Sequence, residues 1–216
     1  MIALSGTGMV HRDLATRNIL VFAFDATNPA ATVVKITDFG LSTMRVGERL
    51  HDAYKGAMVG SPGYVAPEVI MKREYSSACD VWGLGVILYI LLAGYPPFYD
   101  EDGSTAAIFK QIKAGAYEFQ APYWDPVSQQ ARAVVSGLMT VDAKERMTAE
   151  GVFSSPWIAS DEHASSVHLP HFTANLKKYN AARKLKKAAQ GIMAQNKMKK
   201  IHKSLVELAA LKLRPL

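Results

Sequence analysis

Apolar residues near the start of the chain fall into two short runs. The runs ILVF at 19–22 and VVKIT at 33–37 predict two strands, and DATNPAA between them contains the Asn-Pro signature of a turn. From 42 to 64 the pattern is irregular and contains glycines at 47, 56, 60 and 63, which predicts a long surface loop. Loops of this length without structure of their own are usually functional.

The pattern then changes to helical segments. A helix capped by Ser76 or Ser77 is predicted to run to about Gly94, and its body CDVWGLGVILYILLAG is apolar nearly all round, which is typical of a helix at the centre of a core. Pro96-Pro97 ends it. Further helices are predicted from Ser104 to Gly115, from Ser128 through Leu138, and around 148–154. The chain is therefore predicted to be mainly α.

The composition divides the chain into three parts. We predict a domain at 1–160, a linker at 161–171 and one long basic amphipathic helix over 172–205 within a tail at 172–216. The linker holds three histidines at spacings of five and three, without a Cys or acid partner. That pattern is weak for a metal site and indicates a solvated linker.

Charge is distributed unevenly between these parts. Residues 1–162 hold 13 Lys+Arg and 18 Asp+Glu, a balance of −5, whereas residues 163–216 hold 12 Lys+Arg and one acid, Glu207, a balance of +11. A basic tail on an acidic body suggests an acidic partner for the tail. The single cysteine, Cys79, cannot form an internal disulfide, which fits a reducing compartment.

The sequence predicts neither a signal peptide nor a membrane-spanning segment. MIALSGTGMVHR lacks the basic region of a signal peptide, and the apolar run around Val86–Ala93 is far shorter than the ~20 residues that span a bilayer. We therefore expect a cytoplasmic protein without a transmembrane segment, and no nucleic-acid partner.

Four short motifs follow one another in a fixed order. HRDLATRN lies at 11–18, DFG at 38–40, APE at 66–68, and DVWGLG begins at Asp80. Together they resemble the catalytic half of the protein kinase superfamily from Val10 to Ile158. The resemblance implies the helical C-terminal lobe of the protein-kinase-like fold, with a short β-hairpin at the catalytic cleft and a C-terminal amphipathic helix.

The resemblance implies a role for each residue of the first two motifs. Asp13 matches the catalytic base, Asn18 the ligand of the second Mg²⁺, and Asp38 the main ligand of the Mg²⁺ that accompanies ATP. The chemistry agrees, because a carboxylate that accepts a hydroxyl proton contributes ~10²–10⁴-fold and because carboxylate and amide oxygens are hard ligands that suit Mg²⁺.

Further positions match the supporting residues of the family. The resemblance implies that Arg12 contacts a phosphorylated activation loop, that Glu68 pairs with Arg146, that Asp80 holds the catalytic-loop backbone, and that Phe39 and Gly40 seat the DFG segment. Ala57 stands where many relatives carry a phosphorylated threonine, which leaves Thr43, Tyr54 and Ser61 as candidate sites. Ser61 is better interpreted as the hydroxyl that packs against the catalytic loop.

The catalytic loop departs from the Ser/Thr pattern at one place. Ala15 stands where most Ser/Thr kinases have lysine, and Arg17 follows the base by four residues, as in tyrosine kinases. An arginine there can still offer positive charge to the γ-phosphate. GSPGYVAPEVI instead resembles the Ser/Thr form of the substrate-binding segment, and DVWGLGVILYILLAGYPPF and FSSPWI resemble the calcium/calmodulin-dependent kinase group. We therefore expect a protein substrate with Ser or Thr, with a tyrosine or dual-specificity kinase as the alternative.

The resemblance does not extend to the family's nucleotide clamp. No lysine precedes Lys35 and no acid precedes Asp13, so the Lys–Glu pair of the ATP-binding lobe has no counterpart, and GTGMVH is not a phosphate cradle. We expect a C-terminal lobe without its ATP-binding lobe, inactive in isolation, with part of 81–93 left exposed. The alternative is a non-catalytic calmodulin-binding or dominant-negative fragment.

The tail carries a candidate recognition pattern. Leu185, Ile192 and Met198 fit the 1-8-14 spacing of calmodulin targets, and the outer two would lie roughly 20 Å apart on a helix. NLKKYNAARKLK resembles the autoinhibitory and calmodulin-binding segment of calmodulin-dependent kinases. A solvated helix without a partner and an anionic membrane surface are the two alternatives.

Overall fold

A computed structural model describes most of the first 159 residues and parts of the tail. The described residues are 8–24, 31–46, 49–50, 60–72, 76–159, 169, 171–181, 184 and 198. Contacts between residues group Met1–Phe172 into one compact unit and Thr173–Leu216 into another. The boundaries at 160 and 171 stay a prediction.

Short strands precede a series of helices along the chain. The strands are β1 (Met9–Val10), β2 (Ile19–Ala23), β3 (Val33–Ile36), β4 (Thr43–Val46) and β5 (Arg49–Leu50). The helices are α1 (Pro67–Ile70), α2 (Ala78–Ala93), α3 (Thr105–Ala114), α4 (Gln129–Leu138), α5 (Ala149–Phe153) and α6 (Pro156–Ala159). Single 3₁₀ turns occupy Thr16–Asn18, Phe39–Leu41 and Pro62–Tyr64.

The two predicted strands form an antiparallel hairpin. Ile19 of β2 lies opposite Ile36 of β3, and the register shifts between Val21 and Ala23. This confirms the strand prediction. The prediction of an irregular loop over 42–64 is wrong at β4 and β5, because β4 pairs with β1 and with β5 in a second antiparallel sheet. Strand β1 lies more than thirty residues before β4, so no local sequence pattern predicts their pairing.

The four helices predicted before residue 160 are confirmed, and their ends follow local rules. Ser104 and Ser128 each precede a helix and accept the N–H of the residue three positions later, at Ala107 and Ala131. Gly94 and Gly115 end α2 and α3 in the left-handed conformation, with φ of 81° and 61°. The short helices α1 and α6 were not predicted, because four residues carry too little periodicity.

Helix α2 lies at the centre of the core. Trp82 and Tyr89 are buried on it, and Phe98 stacks on Trp82 at 5.7 Å between ring centroids. A Cβ at Gly85 would lie 2.8 Å from Leu138 Cβ, so this glycine lets α2 and α4 pack closely. The expectation that part of 81–93 is exposed is met at one residue of the helix, and the others are buried or half-buried.

Among the described residues, the largest group of exposed apolar side chains lies on the hairpin. Only Leu91 of α2 is more than half exposed, at 55%. On and beside the β2–β3 hairpin the exposed apolar residues are Leu20, Val21, Phe22, Phe24, Val33 and Val34. A two-stranded hairpin with apolar side chains on its surface lacks the cover that sheets of this size need.

The tail is described only in part. Residues 172–181, 184 and 198 are helical, and Met198 is 70% exposed. Leu185 and Ile192 lie outside the described residues, so the helix predicted over 172–205 stays a prediction. Within the ranges given above, no helix is long and apolar enough to cross a membrane.

Candidate functional site

The catalytic-loop motif is anchored on the first turn of α2. Asp80 is buried there, and its two carboxylate oxygens accept the main-chain N–H groups of His11 and Arg12, each at 2.7 Å. Burial raises the pKa of the Asp80 carboxyl, and these two hydrogen bonds oppose that rise. Arg12 has a left-handed backbone, with φ of 68°. The carboxylate therefore holds the loop in a conformation that a non-glycine residue seldom adopts.

A glycine brings the loop against the helix. A Cβ at Gly83 of α2 would lie 3.1 Å from the carbonyl oxygen of Leu14, which is tighter than an ordinary contact. The absence of a side chain therefore fixes how near the loop and the helix approach.

The Asp13 carboxylate is the meeting point of the site. Its Oδ1 accepts the main-chain N–H of Ser61 at 2.9 Å and the Ser61 hydroxyl at 3.1 Å. Its Oδ2 accepts Asn18 Nδ2 at 3.2 Å and the guanidinium of Arg17, which also donates to Ser61 Oγ. The carboxylate is 6% exposed and the Arg17 side chain 48%. The structure thus brings together Asp13, Arg17, Asn18 and Ser61.

Asp38 is joined to this centre through its neighbour. The main-chain N–H of Thr37 donates to the carbonyl of Asn18 at 2.8 Å, and His11 Nε2 lies 3.0 Å from the Thr37 carbonyl. The His11 ring also packs edge-on against Phe39, at 4.9 Å between centroids. Residues on both sides of Asp38 are therefore held by the catalytic loop.

His11 was not singled out from the sequence, although it is the first letter of the HRD motif. It is fully buried. Its Nδ1 accepts the N–H of Asp13 at 3.3 Å, so the Nε2 that faces Thr37 carries the proton by assignment from the network. One imidazole thus positions both motifs. Thr16 was also missed, and its hydroxyl lies 3.0 Å from the hydroxyl of Tyr64.

Asn18 and Asp38 fit the donor set that Mg²⁺ prefers. Asn18 uses its Nδ2 for both of its side-chain hydrogen bonds, to the Asp13 carbonyl at 2.8 Å and to the Asp13 carboxylate. No described residue donates to Asn18 Oδ1 or to the exposed Asp38 carboxylate. A Cβ at Gly40 would lie 3.3 Å from Asp38 Oδ1, so Gly40 leaves room for that carboxylate. Oxygen ligands left without protein donors suit a hard cation.

Arg12 and the pair Glu68–Arg146 lie around this centre. Arg12 Nε donates to the Leu41 carbonyl at 2.5 Å, directly after the DFG segment. Arg146 and Glu68 are buried and form a double hydrogen bond of 2.8 and 2.9 Å. The pair that the sequence suggested is therefore in contact.

The remaining candidates are less well placed. Thr43 is buried in β4, at 8% exposure, so it is a poor acceptor for phosphorylation. Tyr54 and Ala57 lie outside the described residues. Of the three linker histidines only His171 is described, and its ring packs edge-on against Tyr123. Among the residues that the structure describes, no three His, Cys, Asp or Glu side chains cluster as a metal site.

Comparison with known proteins gives a consistent result. The model of the protein kinase domain matches residues 2–158. The calcium/calmodulin-dependent protein kinase type II of Caenorhabditis briggsae is 43% identical over 192 residues, which cover 88% of this chain and 34% of the relative. The protein of the same name in Caenorhabditis elegans is also 43% identical, over 88% of this chain and 25% of its own length.

A third relative is similar to the same degree. The calcium/calmodulin-dependent protein kinase type II alpha chain of Drosophila melanogaster is 44% identical over 182 residues, 84% of this chain and 33% of its own. The chain therefore spans about a third or less of the length of these relatives.

Proposed function

Because this chain belongs to the protein kinase family, in its calcium/calmodulin-dependent Ser/Thr group, we propose that it orients the acceptor hydroxyl. The acceptor is a Ser or Thr of a substrate protein, and ATP is the phosphate donor. The observation that carries the proposal is the position of Asp13. Its carboxylate contacts Asn18 directly, and its main-chain N–H donates to His11, which contacts the residues on both sides of Asp38.

Each side chain has a distinct task in this proposal. Asp13 orients the acceptor hydroxyl and would accept its proton as the hydroxyl oxygen bonds to the γ-phosphorus of ATP and the bond from that phosphorus to the departing ADP breaks. Asn18 and Asp38 would hold Mg²⁺, which supplies charge neutralisation for the phosphates of ATP. Arg17 would offer its charge to the γ-phosphate. Asp80, His11 and the Glu68–Arg146 pair keep the loop in place.

Activity also needs a nucleotide-binding half, and the 216 residues contain no counterpart of its lysine–glutamate pair. We propose that this polypeptide by itself does not transfer phosphate, and that a nucleotide-binding lobe covers the β2–β3 hairpin in the active state. The exposed apolar side chains of that hairpin support this.

Calorimetric titration with Mg·ATP tests whether the chain binds nucleotide by itself. Mg·ATP added to the 216-residue chain should give no tight binding, because its sequence contains no counterpart of the lysine–glutamate pair that holds the nucleotide. Micromolar affinity would contradict this part of the proposal.

Phosphotransfer tests the residue roles. A protein-kinase nucleotide-binding lobe is fused ahead of this chain, and amino-acid analysis of the labelled product distinguishes phospho-Ser/Thr from phosphotyrosine. Asp13→Asn should lower the rate by about 10²-fold or more. Asp125→Asn, a change at an exposed acid, is the matched control. Retained activity in Asp13→Asn would remove that residue from its role, and phosphotyrosine would favour the tyrosine or dual-specificity alternative.

A second candidate function concerns the tail. We propose that residues 172–205 bind calcium-loaded calmodulin, supported by the names of the relatives, the +11 balance of residues 163–216 and the exposed, helical Met198. A chain with this activity alone would be a non-catalytic calmodulin-binding or dominant-negative protein.

Titration of the full chain with calmodulin tests this. Binding should vanish with a calcium chelator and weaken in Leu185→Glu, Ile192→Glu and Met198→Glu. Phe153→Glu, at an apolar residue 59% exposed outside the tail, is the control. Binding to anionic vesicles without calmodulin binding would favour the membrane alternative, and the absence of both would favour a solvated helix.

A further inference from the structure

Every acceptor position of the Asp13 carboxylate is in use. A carboxylate offers about four lone-pair sites. Here Oδ1 accepts the N–H and the hydroxyl of Ser61, and Oδ2 accepts Asn18 Nδ2 and Arg17. No site is left for the hydroxyl of an acceptor peptide. One of the four donors therefore has to leave before Asp13 can receive a substrate proton.

Arg17 is the donor that can leave most readily. Asn18 is buried, and its Nδ2 also binds the Asp13 carbonyl at 2.8 Å. The Ser61 N–H belongs to the main chain beside Gly60, which packs against the carbonyl of Arg12. The Arg17 side chain, in contrast, is 48% exposed, so an arriving peptide reaches it from solvent.

The departing guanidinium loses a charge-assisted hydrogen bond to a carboxylate. An acceptor peptide that carries its own carboxylate beside the hydroxyl replaces that bond, so the exchange costs little. A peptide without an acid leaves Arg17 unpaired, and a basic peptide adds repulsion next to it. The exchange therefore discriminates between peptides by the charge adjacent to the acceptor.

We propose that Arg17 is a specificity-determining residue that selects acceptor segments with Asp or Glu next to the Ser or Thr hydroxyl. This inference rests on the proposed role of Asp13 in phosphotransfer. It differs from the contact between Arg17 and the γ-phosphate, because a guanidinium taken up by the nucleotide alone would not distinguish one peptide from another.

Two fluorescent peptides of identical composition test the proposal. One has Glu on both sides of a single Ser, and the other has the same Glu residues at its far end. Binding to the 216-residue chain is measured by fluorescence anisotropy. Because the two peptides have the same net charge, the basic tail attracts both to a similar extent, and only the position of the acids differs.

The peptide with adjacent acids should bind wild type about tenfold more tightly, as expected for one charge-assisted pair. Arg17→Gln should reduce the ratio to about one. Lys144→Gln, which removes an exposed cation elsewhere, should retain the preference. Circular dichroism melting of each variant verifies that it is folded.

Three outcomes overturn the inference: equal affinities in wild type, a preference that survives Arg17→Gln, or no measurable binding of either peptide. Peptide binding does not require phosphate transfer, so the two proposals fail separately. Lost preference with activity still dependent on Asp13 overturns only this inference, whereas activity independent of Asp13 overturns only the proposed function.

Discussion

The carboxylate of Asp80 binds the main-chain N–H of Arg12 at 2.7 Å across 68 residues of sequence, and Arg12 has a φ of 68°. A non-glycine residue in this region stores about 1–3 kcal/mol of strain. The second oxygen of Asp80 holds the N–H of His11 at the same distance. The core therefore fixes the strained turn that presents Asp13, in addition to the hydrogen bonds within the loop.

Replacing Asp80 with Asn should release this turn. One acceptor oxygen becomes an NH₂ group that faces a main-chain N–H, which leaves a buried donor unsatisfied and lowers the free energy of unfolding by about 1–3 kcal/mol. Urea denaturation measures the change. Asp125→Asn, at an exposed position, should stay within about 0.5 kcal/mol of wild type. Equal midpoints for the two variants would show that Asp80 does not hold the turn.

In the buried pair Glu68–Arg146, replacing Arg146 should cost more stability than replacing Glu68. Arg146 also donates to the carbonyls of Ala78, Thr140 and Val141, at 2.7 to 3.2 Å, whereas Glu68 bonds Arg146 at both oxygens. Arg146→Met leaves a charge and several carbonyls unpaired, so we expect a loss of about 3–5 kcal/mol in the free energy of unfolding. Glu68→Gln still accepts one hydrogen bond and should cost less.

A double-mutant cycle in urea measures the coupling between the two residues. A larger loss from Glu68→Gln than from Arg146→Met would contradict this order. Additive losses, with no coupling, would show that the two side chains do not act as a pair.

The helical part of the fold was predictable because its signals are local. Ser104, Ser128, Gly94 and Gly115 each mark an end within one turn of the helix they bound. Strand β4 was not predictable, because its pairing partner at Met9–Val10 is remote and both strands are short. Local strand propensity does not predict a pairing between two segments that are distant in the sequence.

The site was predictable in its residue types and less so in its geometry. Motif order identified Asp13, Asn18 and Asp38, but the saturation of the Asp13 carboxylate depends on where the main chain places Ser61. That placement follows from contacts of Gly60 and from the network around His11, which no spacing in the sequence encodes.

Gly60 should be more sensitive to substitution than its neighbour in the same segment. Its φ is +103°, and a Cβ there would lie 2.9 Å from the Arg12 carbonyl, so Gly60→Ala meets both strain and main-chain overlap. We expect a loss of about 1–3 kcal/mol in stability and weaker binding of acceptor peptides. Gly63→Ala, where a Cβ meets nothing within 4 Å, is the control. Similar losses for both alanine variants would contradict the close approach.

Cys79 provides a titration that reports on the core beside Asp80. The thiol is buried, and burial raises its pKa well above the ordinary value of 9.0, with the charges of Asp80 and Glu68 adding to the rise. At neutral pH a thiol reagent should therefore label Cys79 only when the chain unfolds. Rapid labelling of the native protein would show that the thiol is accessible and its pKa ordinary.

The same shift predicts how stability changes in alkali. Above pH 9.0 the unfolded chain loses the Cys79 proton while the folded chain keeps it, so the unfolded state binds fewer protons and stability falls as pH rises toward the folded pKa. Below pH 9.0 the contribution is fully present.

Cys79→Ala removes this one titration and leaves the other ionisable groups in place, so the difference in unfolding free energy between wild type and Cys79→Ala isolates it. That difference should be constant up to pH 9.0. Above pH 9.0 wild type should lose stability relative to Cys79→Ala, by up to about 1.4 kcal/mol per pH unit. A difference that stays flat in alkali would mean that the thiol ionises equally in both states and is not shielded by the core.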